Sequence, residues 1–283
     1  MEFKKSVFLF CLFLLILLPG CTRGAQEGSP EGNSPQTAPR EITEIETRTL
    51  EIMQQADLIP VIEKASAQGE ETKKMTELTY DETILGEVLK REAETASGGN
   101  GEQKALPEET DEVWNTIKKA ITDLHDQWDR LEPQIAAEKV SQEMISNFEE
   151  VLDRLTAFGT EESVLGTLTA ANQLTLHLAK FMGPFEDPPS PIAYELKYHV
   201  RNTVLTAAED NYEAAREDLA YIREQQPALR KALEENDAAE SADELEMSLV
   251  DLQRAVDKQD LELVKINAAV VMENVVKAIE KLK

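Results

Sequence analysis

The sequence predicts an all-α protein, an antiparallel helical bundle of four to six helices preceded by a flexible tether. Three observations carry this. Ala, Leu, Glu and Lys dominate a composition that is 41% hydrophobic but only 5% aromatic, which favours helix. From about residue 109, apolar side chains recur every three or four positions, the period of a helix buried along one face. The breaks between these stretches are short and rich in Pro or Gly, so neighbouring helices should run antiparallel.

Taken in order, the chain begins with a positive head, Lys4 and Lys5, followed by SVFLFCLFLLILL from Ser6 to Leu18. That apolar run is shorter than the roughly 20 residues a membrane-spanning helix needs. A basic head and a short apolar core ending in small residues make a secretory signal peptide. The ending Leu18-Pro19-Gly20-Cys21 resembles the lipobox of bacterial lipoproteins, and the resemblance is confined to residues 1–21. It implies cleavage between Gly20 and Cys21, a diacylglycerol on the Cys21 thiol, and acylation of the new amino group with a fatty acid such as palmitate. It also implies a lipid-anchored location on the extracytoplasmic face of a bacterial membrane. Cys11 would leave with the signal peptide of residues 1–20. The mature chain then holds one cysteine, already lipidated, and no internal disulfide.

Net charge is −26, and about −27 once the signal is gone, because that segment carries two lysines and one glutamate. Nucleic acid is thereby disfavoured as a partner, since phosphates demand clustered Lys and Arg. Close approach of the body to an anionic membrane surface is opposed as well. The membrane is therefore a partner through the acyl chains on Cys21, and stable attachment takes two or more such chains.

Residues 21–40 form the lipidated cysteine and linker; TRGAQEGSPEGNSPQTAPR has no apolar period and, as a coil, a mean reach of roughly 25 Å. Residues 41–106 are expected to be a weakly structured or helical arm. Ile42, Ile45, Ile52, Met53, Ala56 and Ile59 keep a loose helical spacing that Pro60 interrupts, and a second short helix spans Asp81 to Ala96. A linker, ASGGNGEQKALPEE, follows.

Residues 107–283 are expected to be the bundle. Its first helix has a seam of Trp114, Ile117, Ile121, Leu124, Trp128 and Leu131 and should end at Pro133. The next, about 134–158, should close at Gly159. A third starts near Thr160–Ser163 and stops at Phe181–Pro184. The four-proline loop GPFEDPPSP leads into the longest helix, about 191–224, with a turn at Pro227. Two more run through Leu245–Val256 and Leu261–Leu282, separated by a bend at Asp257–Asp260.

Chemistry is sparse. There are three histidines, His125, His177 and His199. None has a Glu three residues before it, as a di-iron bundle requires, and no two are four apart, as His-Glu-x-x-His requires. No Gly-x-Ser-x-Gly or phosphate-binding glycine motif occurs. Two helical-turn pairs, His125 with Asp129 and Glu195 with His199, read as solvated pairs worth a few tenths of a kcal/mol. The expectation is a non-catalytic binding or scaffold protein with no catalytic residue, metal site or cofactor, and with an unknown protein partner open to it. The alternative left open is a metal- or haem-handling envelope bundle. The best candidate contact surface is Tyr194, Lys197, Tyr198 and Arg201, because Tyr and Arg are enriched at binding hot spots.

Overall fold

A computed structural model describes residues 37–68, 82–96, 107, 109–185 and 191–282. The signal segment, Cys21, the tether as far as residue 36, the linker at 97–106 and the centre of the proline-rich loop (186–190) lie outside the described residues. Among the described residues there are ten helices and no strand. They are α1 (Arg40–Ala56), α2 (Ile59–Gln68), α3 (Gly86–Ala96), α4 (Thr110–Ala137), α5 (Gln142–Glu161), α6 (Val164–Phe181), α7 (Pro191–Ala208), α8 (Tyr212–Glu235), α9 (Ala239–Lys258) and α10 (Leu261–Lys281). The all-α bundle is as expected, with more helices than four to six.

Each helix forms for a readable reason. In α4 the expected seam is buried, from Trp114 to Leu131, with Trp128 stacked on Phe148 of α5 at 4.2 Å between ring centroids. Ser141, Ser163, Asn211 and Asp260 cap α5, α6, α8 and α10 by accepting the first free backbone N–H groups; each such cap is worth about 1 kcal/mol. Helix α9 ends where expected, with Gln259 in the left-handed region at φ 55°.

Four expectations are corrected. Pro133 does not end its helix. Helix α4 runs on to Ala137 because Ile135, one turn beyond Leu131, is also fully buried. Pro227 likewise lies inside α8, ahead of buried Leu229 and Leu233. The helix expected over 191–224 is instead two, α7 and α8, broken at Asp210 (φ 59°) and restarted by the Asn211 cap. Gly159 sits within α5, and Glu162 (φ 58°) supplies the left-handed ending.

Residues 41–106 are expected as a weakly structured or helical arm, and the sequence leaves open its packing on the 107–283 bundle; its described helices pack on the bundle. Residues from Pro35 to Lys283 form one compact unit. Helix α1 packs on α4 and α6, and α3 packs on α10. Ile42, Ile45, Ile52, Leu85 and Leu89 share one continuous apolar core with α4–α10. Helix α7 packs on α6, α8 and α10.

Candidate functional site

The region singled out from sequence lies on α7, and its side chains divide by helical angle. Tyr194, Lys197 and Arg201 are three and four residues apart, so they leave the helix on one side. Tyr198, His199 and Asn202 leave on another.

The first side is interior. Arg201 has no exposed surface and Tyr194 is buried, so these residues do not form the expected contact surface. The cause is charge pairing across helices. The Arg201 guanidinium grips Glu92 of α3 through Nε at 3.0 Å and Nη2 at 2.6 Å. Its Nη2 also donates to Glu46 of α1 at 3.1 Å, and its Nη1 to Thr175 of α6 at 3.1 Å. Thr175 in turn donates to Glu46 at 2.7 Å. Lys197 stands 3.0 Å from Glu92 Oε1. Two carboxylates meet two cations, so the cluster is neutral, and it ties four helices together.

Its electrostatics follow from that pairing. Burial opposes the ionisation of Glu92, but the adjacent Arg201 and Lys197 charges more than offset it and hold the carboxyl below the usual range. Burial also disfavours the Arg201 cation, yet Glu92 and Glu46 keep it above its ordinary value. Burial, joined by the Glu46 charge, pushes the Tyr194 phenol above its ordinary value.

The second side is half-buried and faces α8. His199 Nδ1 lies 2.7 Å from Asp218 Oδ1, and Asn202 donates to Asp218 Oδ2 at 2.8 Å. The His199 ring stacks on Tyr221 at 4.0 Å and meets the edge of Tyr198 at 4.8 Å. Tyr221 donates to Glu195. The sequence pair Glu195–His199 is therefore not a pair: each takes its partner from α8. Similarly, His125 contacts Thr156 at 2.9 Å, with the other ring partner expected from sequence, Asp129, exposed. Tyr198 is pushed up to about 12 by burial and the Asp218 charge.

Chemically, the Arg201 cluster saturates its own groups and holds helices in register. The Asp218–His199 pair is an imidazole oriented by a carboxylate, the form that serves catalysis when a nucleophile or further ligands join it. Among the described residues, no group of three His, Cys, Asp or Glu is arranged to hold a metal ion. Cys21, Gly20 and the lipid anchor lie outside the described residues. No described helix is long and apolar enough to cross a membrane. Comparisons with protein-family models, curated proteins and solved structures give no match.

Sequence reasoning missed Glu46 and Glu92. Both occupy positions on apolar stripes, beside Ile42, Ile45 and Thr49 in one case and Val88 and Leu89 in the other. A charge on such a stripe has to find an opposite charge or stay neutral. That signal was readable, although its partner Arg201 is 155 residues from Glu46 and 109 from Glu92.

Proposed function

We propose that this chain is a membrane-anchored, acidic cell-envelope lipoprotein whose helical body serves a non-catalytic binding or scaffold role. The observation that carries the reading is the run from Lys4 to Cys21: a basic head, an apolar core too short to span a bilayer, and Leu18-Pro19-Gly20-Cys21 at its end. The architecture of the body supports it. The most heavily charged interior cluster is used up in joining α1, α3, α6 and α7. A body of that kind presents rigid helix faces outward. Its negative charge keeps it off an anionic bilayer, and the linker to residue 40 gives it reach.

The test is fractionation of cells expressing the whole chain. Wild-type protein is expected with membranes. Cys21→Ser removes the thiol that accepts the lipid and is expected to lose membrane attachment. A Cys21→Ser protein recovered with membranes at undiminished yield refutes the anchoring mechanism.

A further inference from the structure

His177 of α6 is 8% exposed, yet among the described residues its ring nitrogens have no hydrogen-bond partner. Buried polar groups are ordinarily paired. Among the described residues, side-chain atoms that are both unpaired and fully enclosed occur at Arg48, Thr49, Gln127, Thr167 and Asn172, and not at His177. The His177 nitrogens therefore lie at the open edge of the residue, where a ligand can reach them.

Two cations flank that edge. Helices α5 and α6 run antiparallel: Phe158 meets Gly166, Arg154 meets Gln173 and Phe148 meets His177. Gln173, His177 and Lys180 are four and three residues apart and leave α6 on one side. His177 stands about 6 Å along the axis from Gln173 and about 4.5 Å from Lys180. Arg154 reaches over from α5 and donates through Nη2 to Gln173 Oε1 at 2.7 Å. Arg154 and Lys180 thus lie to either side of His177 along the α5–α6 groove.

These charges are not spent within the chain. The Arg154 bond goes to a neutral amide, and Lys180 has no carboxylate partner among the described residues. Asp153 and Glu150, the acids closest to Arg154 along α5, are exposed and pair with neither cation. Burial, with the charges of Lys180 and Arg154, lowers His177 to about 4, and no carboxylate opposes them. Near neutral pH the imidazole is therefore uncharged and offers one N–H.

Two cations without a counter-ion, with an N–H donor between them, are arranged to hold an oxyanion. Charge selects which one. A carboxylate balances one of the two cations. A phosphate group carries about −1.5 to −2 near pH 7 and presents three acceptor oxygens, so it balances both and meets all three donors. The net charge of the chain opposes anions at long range, but at physiological salt it is screened beyond about 8 Å.

We propose that the α5–α6 groove around Arg154, His177 and Lys180 binds a phosphate group, carried by a small soluble molecule or by a lipid headgroup. The inference goes beyond the scaffold role proposed above and is independent of the anchor at Cys21.

The experiment uses residues 35–283, the compact unit that contains the whole described core. The probe is inorganic phosphate at pH 7, with acetate as the carboxylate control. Binding is read by titration calorimetry and by the NMR signals of the three histidines. Phosphate is expected to bind and to move the His177 signal while leaving His125 and His199 in place; acetate does not. Arg154→Gln with Lys180→Gln is expected to weaken binding at least about tenfold, with circular dichroism unchanged because both side chains are exposed. Lys119→Gln with Lys258→Gln removes the same charge at exposed positions on α4 and α9 and is expected to stay within about twofold. A parallel arm uses phosphatidic acid vesicles beside phosphatidylcholine vesicles. Binding of free phosphate assigns a soluble ligand, whereas binding to phosphatidic acid vesicles alone, lost in the Arg154–Lys180 variant, assigns a headgroup. Absence of binding in both arms, a His177 signal that phosphate leaves unmoved, or an Arg154–Lys180 variant no weaker than the lysine control overturns the proposal.

Discussion

Arg201 shows how one side chain settles the reading of a whole region. In water a surface arginine is a plausible hot spot; with no exposed area and three hydrogen-bonded partners it is a structural tie. Removing Arg201 leaves buried Glu46 without its cation and Glu92 with Lys197 alone. Arg201→Met is therefore expected to destabilise the body by about 3–5 kcal/mol in urea unfolding. Replacing Glu46 and Glu92 by leucine in the same chain should recover most of that loss, because the desolvation penalty then disappears. Two further buried groups make stability depend on pH with opposite signs. Burial, with the Lys180 and Arg154 charges, lowers His177 from 6.5 to about 4. The unfolded chain takes up that proton first, so the contribution of His177 is fully present above pH 6.5 and is lost as pH falls toward 4. Burial raises Asp57 from 3.8 to about 6 despite its bonds from the Ile84 and Leu85 amides. The contribution of Asp57 is fully present below pH 3.8 and is lost as pH rises through 6. Urea unfolding between pH 4 and 7 should therefore show His177→Gln removing an acid loss, and Asp57→Asn removing an acid gain.

At the scale of elements, periodicity located most helices and misjudged several of their ends. The seam from Trp114 to Leu131 and the bend before Leu261 were legible because local pattern and tertiary burial agree there. Pro133 and Pro227 misled because a proline costs about 3 kcal/mol inside a helix, while burial of Ile135, Leu229 and Leu233 just beyond them outweighs that local cost. The break at Asp210 was missed for the converse reason: apolar spacing continues through it, and only the capping asparagine marks the restart. Glycine roles were also decided by neighbours. A Cβ on Gly166 would lie 2.5–2.9 Å from the Phe158 ring, whereas one on Gly159 would crowd the terminal methyl of Ile121 at 2.6 Å and meet Ile117 Cγ2 at an ordinary 3.9 Å. A ring packed between two helices yields less than a methyl at the end of a side chain. Alanine gains up to about 1 kcal/mol over glycine in a helix. Thermal unfolding should therefore show Gly159→Ala near neutral and Gly166→Ala destabilising by more than about 1 kcal/mol.

For the whole molecule, the helical arm, whose packing the sequence leaves open, contributes to the core: α1 and α3 supply both apolar surface and the two buried carboxylates. The candidate site was only half legible for the same reason: α7 was visible as an unusual cluster, but its partners come from α1, α3 and α8. The chain is strongly acidic, and among the described residues the exposed large hydrophobics lie on α9 and α10. In the proposed function, Cys21 is the device that holds this body at a membrane. The intact mass of the protein isolated from membranes tests this most directly. The expected mass is that of a chain that begins at Cys21, lacks residues 1–20, and carries the added mass of a diacylglycerol, with or without a further acyl chain. An unmodified chain that still begins at Met1 would contradict it.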